Sequence, residues 1–261
     1  TVLLAVLIGA TACDRPDADT NGSPGLAGSI GYAGPFTAQE AEDLRARWDY
    51  VSGWFGGDLM RFGHLNVESL VGTAALGGDG TVRPLPDASR AEVASYAVDT
   101  RDRGTVTLDE YVTRDARVDG FIVIHRGDIV YERFVHMGPE DRHLYWSTSK
   151  MTAGLLVSML QDEGLVDTSE PVERYIPELA SSGWAEVTVR NVLDMASGID
   201  CPEDAEAYAD IESCMLVMER SVGLQPDLPT VSFSAHMASM ARGEPPGTRY
   251  EYASANTSLL M

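Results

Sequence analysis

Apolar positions change period several times along the chain, and each change marks an element. From Phe121 to Val135 (FIVIHRGDIVYERFV) two runs rich in β-branched and aromatic residues flank Arg126-Gly127-Asp128. That pattern predicts two strands joined by a tight turn, and it makes the Arg-Gly-Asp tripeptide a turn rather than an adhesion motif. From Ser147 to Glu163 (STSKMTAGLLVSMLQDE) the period lengthens: Met151, Leu155, Met159 and Leu160 fall on one helical face, and Gly164 is a natural stop. Between Asp167 and Gly243 short helices and loops are expected, among them a helix over Val187 to Met195 ending at Ser197-Gly198. Upstream, Thr37 is an N-cap candidate with Glu40 three residues on, which predicts a helix running towards Ser52. Gly53 to Asp87 shows no clear period, and no element is predicted there.

The first 35 residues read differently. Thr1 to Ala12 (TVLLAVLIGATA) has the length of a signal-peptide apolar region and is too short to span a bilayer as a helix. Ala10, Thr11 and Ala12 lead directly into Cys13, which resembles the lipobox of bacterial lipoproteins, although Ala10 stands where leucine is usual. Residues 1–12 are therefore expected to be the remnant of a signal peptide, with Cys13 the lipidated N-terminus of the mature protein. Residues 13–35, rich in Gly, Pro, Asp and Ser, are expected to be a tether. The folded domain is expected over 36–261, with 165–245 as its mostly helical part. Such a protein is exported, to the periplasm or cell surface of a bacterium. An oxidising compartment favours a disulfide between Cys201 and Cys214, and no histidine lies at metal-ligand spacing beside them.

Charge narrows the partners. With 40 acidic and 19 basic residues the formal charge is −21, which argues against nucleic acid and against anionic membrane surfaces. A membrane enters only through the lipid anchor. The basic residues are lopsided, because Lys150 is the one lysine and the rest are arginine. Arginine does not accept a proton near neutral pH, whereas a desolvated lysine does so readily.

Lys150 closes an S-x-x-K sequence, Ser147-Thr148-Ser149-Lys150. Positions three apart on a helix share a face, so hydroxyl and amine can meet in a hydrogen bond. Serine is a poor nucleophile until a base takes its proton, and a neutral lysine can be that base. A serine at a helix N-terminus also has backbone N–H groups close to any developing oxyanion. Other chemistries find little support. G-x-S-x-G does not occur. The five histidines show no paired-ligand spacing, and His143, four residues before Ser147, is assigned a surface or supporting role. Gly77-Gly78-Asp79-Gly80 reads as a turn, and no cofactor or metal is expected.

A strand hairpin, then W-S-x-S-K opening a helix that ends D-E-G-L, resembles the serine β-lactamase and penicillin-binding-protein superfamily. Asp167 to Leu179, Val189 to Ile199 with its S-G-I turn, and Pro245-Pro246-Gly247 followed by Tyr250 to Ser254 match further elements in order, over roughly residues 105 to 261. The resemblance implies an α/β fold, an antiparallel sheet flanked by helices plus a mostly helical subdomain. It implies Ser147 as nucleophile, Lys150 as general base and Tyr252 as the third catalytic residue, with Tyr250 the nearby rival. The Ser147 N–H would be one oxyanion donor. The other would come from a late strand after Tyr252, so the chain is expected to be a C-terminally truncated piece with an incomplete sheet, inactive or unstable alone. Y-x-S, Trp146 and the cysteine-containing acidic loop look most like the esterase and 6-aminohexanoate-dimer hydrolase branch. The implied activity is hydrolysis of a small ester or amide through an acyl-enzyme. The alternatives are a β-lactamase or D-alanyl-D-alanine carboxypeptidase acting on cell-wall peptides and, in another class, a non-catalytic surface lipoprotein that binds rather than cleaves.

Overall fold

The structure, a computed structural model, describes residues 4–8, 36–55, 57–76, 84–114 and 118–261. Helices and small antiparallel sheets make up an α/β fold. The chain divides into two compact units, Thr1–Tyr145 and Trp146–Met261.

In the first unit, strand β1 (Leu4–Ile8) is followed by helices α1 (Ala38–Arg47), α2 (Tyr50–Phe55), α3 (Gly57–Leu65) and α4 (Ala91–Ala94). Next come β2 (Ala97–Thr100), β3 (Gly104–Thr107), α5 (Leu108–Arg114), β4 (Gly120–His125) and β5 (Asp128–Phe134). The hairpin forms where the alternation places it. Arg126 (φ 57°) and Gly127 (φ 93°) both enter the left-handed region, as a two-residue primed turn requires. β4 and β5 pair antiparallel, with Ile122 opposite Glu132. Leu4–Ile8, part of the predicted signal segment, pairs antiparallel with the other edge of β4. The rest of that segment, Cys13 and the tether lie outside the described residues.

α1 starts at Thr37 with a full capping box: the Glu40 N–H donates to the Thr37 hydroxyl, and the Glu40 carboxylate accepts from the Thr37 N–H at 2.7 Å. It ends sooner than its sequence suggests, at Arg47, and the chain restarts as α2 and α3. α3 lies in the stretch where no element is predicted, because its glycines blur the apolar period while tertiary contacts bury Phe62 and His64. Val112, Val118, Phe121, Val123, Val130 and Tyr131 form a core between the hairpin and α5. Residues 86–90 line the outer edge of β5, with the Ala88 N–H donating to the Ile129 carbonyl at 2.8 Å.

A second buried group in this unit is polar. Asp119 receives Arg61 Nε at 2.6 Å and faces His143 Nε2 at 3.1 Å. Burial works to raise its carboxyl, but hydrogen bonds from His143 and Arg61, with the Arg61 charge, hold it below the ordinary value. His64 stacks near Trp54 and meets His143 edge-on at 5.5 Å between centroids. Burial, and then the His143 charge, push its imidazole down to about 4, against the pull of Asp119.

The second unit holds α6 (Lys150–Asp162), α7 (Val189–Leu193), α8 (Cys214–Ser221), α9 (Phe233–Ser239) and α10 (Ser254–Leu259), with short 3-10 turns between them. Its core gathers Trp184, Val187, Val192, Ile199, Met215, Met237 and Leu259, and the Trp184 indole donates to the Met237 carbonyl at 3.0 Å. α6 buries Ala153 and Val157. The broader apolar face read from the sequence is open instead, with Met151 72% and Leu155 61% exposed. Periodicity marks a face fit for contact without saying which of two faces finds one. Cys201 and Cys214 are joined by a disulfide, Cα to Cα 5.3 Å, which ties the loop after Ile199 to the first turn of α8.

Candidate active site

Trp146 takes a left-handed conformation (φ 44°), rare for a bulky residue, and turns the chain into a 3-10 turn over Trp146–Ser149 that runs straight into α6. A 3-10 turn has three residues per turn, so positions i and i+3 lie in line. Ser147 and Lys150 are that pair. Lys150 Nζ donates to Ser147 Oγ at 2.7 Å. The hydroxyl of Tyr252, 105 residues further on, donates to the same oxygen at 2.6 Å. Lys150 Nζ also stands 5.1 Å from the centre of the Tyr252 ring. Tyr250, the nearby rival, is 67% exposed and makes no such contact.

Ser147 is exposed while Lys150 and Tyr252 are half-buried, so the hydroxyl faces solvent with its two partners behind it. One oxygen thus has an amine and a phenol in hydrogen-bond range. Chemically, the arrangement lets a proton leave Oγ for one neighbour while the other offers a proton to whatever the oxygen attacks.

Tyr252 is placed by backbone bonds that the sequence does not announce. α7 begins at Thr188, capped reciprocally with Asn191, and ends just before Met195 (φ 53°). The Met195 carbonyl accepts from the Glu251 N–H at 2.8 Å, and the Ala196 carbonyl accepts from the Gly247 N–H at 2.8 Å. Gly198 (φ 73°) follows, and a Cβ there would lie 2.1 Å from the Glu244 carbonyl oxygen, so only glycine lets the two strands of chain come this close. The S-G-I turn therefore serves as the bench on which residues 244–251 rest. On the far side, the Ser254 N–H donates to Glu203 Oε2 at 2.8 Å. Glu203 went unnoticed in the sequence; its place two residues after Cys201 was the available signal.

The other candidates fall elsewhere. The His143 imidazole is held by Asp119 and by the Leu144 carbonyl at 2.9 Å. Among the described residues no group of three or more His, Cys, Asp or Glu could hold a metal ion. No helix among them is long and apolar enough to cross a membrane.

Residues 98–261, well over half of the chain, match the family model described as "Beta-lactamase". The chain belongs to the beta-lactamase family. The match takes in Ser147, Lys150 and Tyr252 together. A 6-aminohexanoate-dimer hydrolase of Paenarthrobacter ureafaciens is 34% identical over 184 residues, covering 63% of this chain and 45% of that protein. In fold, the chain is similar to a solved structure described as "Putative 6-aminohexanoate-dimer hydrolase from Bacillus anthracis". The TM-score is 0.62 at 21% identity, over 79% of this chain and 54% of the other. This beta-lactamase family chain thus spans about half the length of the relatives it matches.

Proposed function

We propose that the protein is a serine hydrolase that cleaves ester or amide bonds through an acyl-enzyme on Ser147. The observation that carries this reading is the convergence of Lys150 Nζ and Tyr252 OH on Ser147 Oγ, at 2.7 and 2.6 Å. In the acylation step Ser147 Oγ bonds to the substrate carbonyl carbon and its proton passes to Lys150 Nζ. The tetrahedral intermediate then collapses, the bond to the leaving alkoxide or amine breaks, and Tyr252 delivers the proton that the leaving group needs, with Lys150 replenishing it. Water repeats the sequence on the acyl-enzyme and restores the serine. In this reading the Ser147 N–H, in the 3-10 turn over Trp146–Ser149, is one backbone donor to the developing oxyanion.

Similarity to the Paenarthrobacter hydrolase supports small linear amides and esters as substrates. The family match favours a second reading, a β-lactamase or penicillin-binding carboxypeptidase acting on cell-wall peptides. Turnover of a p-nitrophenyl ester, a linear amide and nitrocefin by the full-length protein separates the two. Rapid nitrocefin hydrolysis with neither ester nor amide turnover would establish the second reading. Failure of Ser147 to react with either a fluorophosphonate or a β-lactam probe would leave a non-catalytic binding module. For location, we infer export with a lipid on Cys13. Cys13→Ser should then release the protein from the membrane fraction, and unchanged membrane retention would rule the anchor out.

A further inference from the structure

Tyr252 must hold its hydroxyl on Ser147, yet it sits in an irregular segment between Gly247 and α10. Its backbone is pinned from both sides. One residue before it, Glu251 donates to the Met195 carbonyl at 2.8 Å; two residues after it, Ser254 donates to Glu203 Oε2 at 2.8 Å. The first acceptor is main chain and belongs to a turn that Gly198 fixes. The second is a side chain, and one carboxylate oxygen accepts from an N–H that no turn of α10 can satisfy.

Glu203 is itself held. Its other oxygen, Oε1, accepts from the Tyr208 hydroxyl at 2.8 Å. Two residues before it, Cys201 is buried and disulfide-bonded to Cys214 at the head of α8. Cys214 is anchored in turn, its carbonyl lying 3.0 Å from His236 Nε2. A carboxylate on a polar loop thus has both oxygens engaged and its backbone stapled. Such a group is far more constrained than exposed acids usually are.

We propose that Glu203 is the positioning residue for Tyr252, setting the phenol's distance to Ser147 through the Ser254 N–H, with the Cys201–Cys214 disulfide holding Glu203 in place. This rests on the reading of Tyr252 as proton donor to the leaving group. Errors of about 1 Å in a reacting group can cost roughly 100-fold in rate, so loss of the pin should appear in proton delivery and not in substrate binding.

The test uses the full-length protein and two substrates sharing one acyl group, a p-nitrophenyl ester and a linear alkyl amide. Nitrophenolate departs without a proton, whereas an amine does not. Glu203→Ala should lower kcat on the amide by roughly 30- to 100-fold and on the ester by less than about 5-fold, with KM nearly unchanged. Glu203→Gln keeps an oxygen for Ser254 and an amide for Tyr208, so it should restore activity to within about 3-fold of native. Tyr252→Phe should show the same preference for the ester, and Glu203→Ala added to Tyr252→Phe should cost nothing further. Should Glu203→Ala not fold, Ser254→Pro removes the N–H from the donor side. Proline suits the first position of a helix, and Ala253 (φ −147°, ψ 121°) already has the backbone a preceding residue needs. Equal losses on both substrates for the Glu203 and Ser254 variants, or an additive double variant, overturn the positioning role while leaving Tyr252 intact. If Tyr252→Phe itself loses ester and amide turnover equally, the donor reading of Tyr252 fails, and the positioning role goes with it.

Discussion

The two units of this chain bury polar groups in opposite ways. In residues 1–145 the buried carboxylate of Asp119 has a guanidinium on one oxygen and an imidazole on the other, and it stays ionised. In residues 146–261 the buried Glu219 has an Oε2 that meets no hydrogen-bond donor among the described residues, and desolvation pushes its carboxyl up to about 7. In the first unit the buried His64 is pushed the other way, down to about 4. His64 therefore costs the first unit stability in acid, and Glu219 costs the second stability in base. The described chemistry lies in the second, where a disulfide and close backbone contacts hold Tyr252 to Ser147. Pairing a buried charge holds a fold together, whereas a catalytic oxygen has to remain open on one side.

The largest contrast to break is chemical. Lys150→Arg puts a guanidinium, which does not accept a proton near neutral pH, where the amine stands, so acylation should fall by more than about 1,000-fold while the melting temperature holds. Residual acylation above about a tenth of native, read by stopped-flow burst, would sink the assignment of Lys150 as base. Next comes the staple. Replacing Cys201 and Cys214 by serine opens a loop of 13-residue separation and should cost about 3 kcal/mol of stability, confined to the second unit. Hydrogen exchange resolved by segment checks this, and equal loss of protection in β4 and β5 would contradict it.

Opposite pH responses sharpen the comparison further. Unfolded His64 takes up a proton below its ordinary 6.5 and folded His64 only near 4, so its contribution to the first unit's stability is complete above pH 6.5 and is lost as pH falls through that window. Folded Glu219 keeps its proton up to about 7 where the unfolded carboxyl releases it near 4.5, so its contribution to the second unit's stability is complete below 4.5 and is lost as pH rises from there to about 7. Glu219→Gln should stabilise α8 by on the order of 2 kcal/mol at pH 8 and by little at pH 4. No difference between those pH values in segment-resolved exchange would remove the contrast. The smallest effect belongs to Thr37→Ala, which deletes the hydroxyl that accepts from the Glu40 N–H in the α1 capping box and should cost about 1 kcal/mol, read in the denaturation midpoint.

How far the sequence reaches differs from residue to residue. Local rules were enough for the β4–β5 hairpin, for the Thr37 cap and for the opening of the helix that carries Ser147, because turn chemistry, capping and short-range periodicity act over a few residues. The meeting of Ser147 and Lys150 is of the same kind, fixed by a spacing of three. α3 and the short end of α1 were not legible, since glycines masked the period and only packing of Phe62 and His64 selects the helix. The exposed face of α6 shows the same limit, as an apolar stripe names no partner. Tyr252 came by resemblance, and nothing local distinguishes it from Tyr250. What decides between them is tertiary: the Met195 carbonyl, Gly198 and Glu203 clamp the chain so that one phenol reaches Ser147 across 105 residues while the other points to solvent. The sequence by itself determined that Ser147 and Lys150 meet, because one helical turn carries both. Only the tertiary structure decided that Tyr252 joins them and what supports it, because contacts between distant segments depend on loop closure that no local pattern encodes.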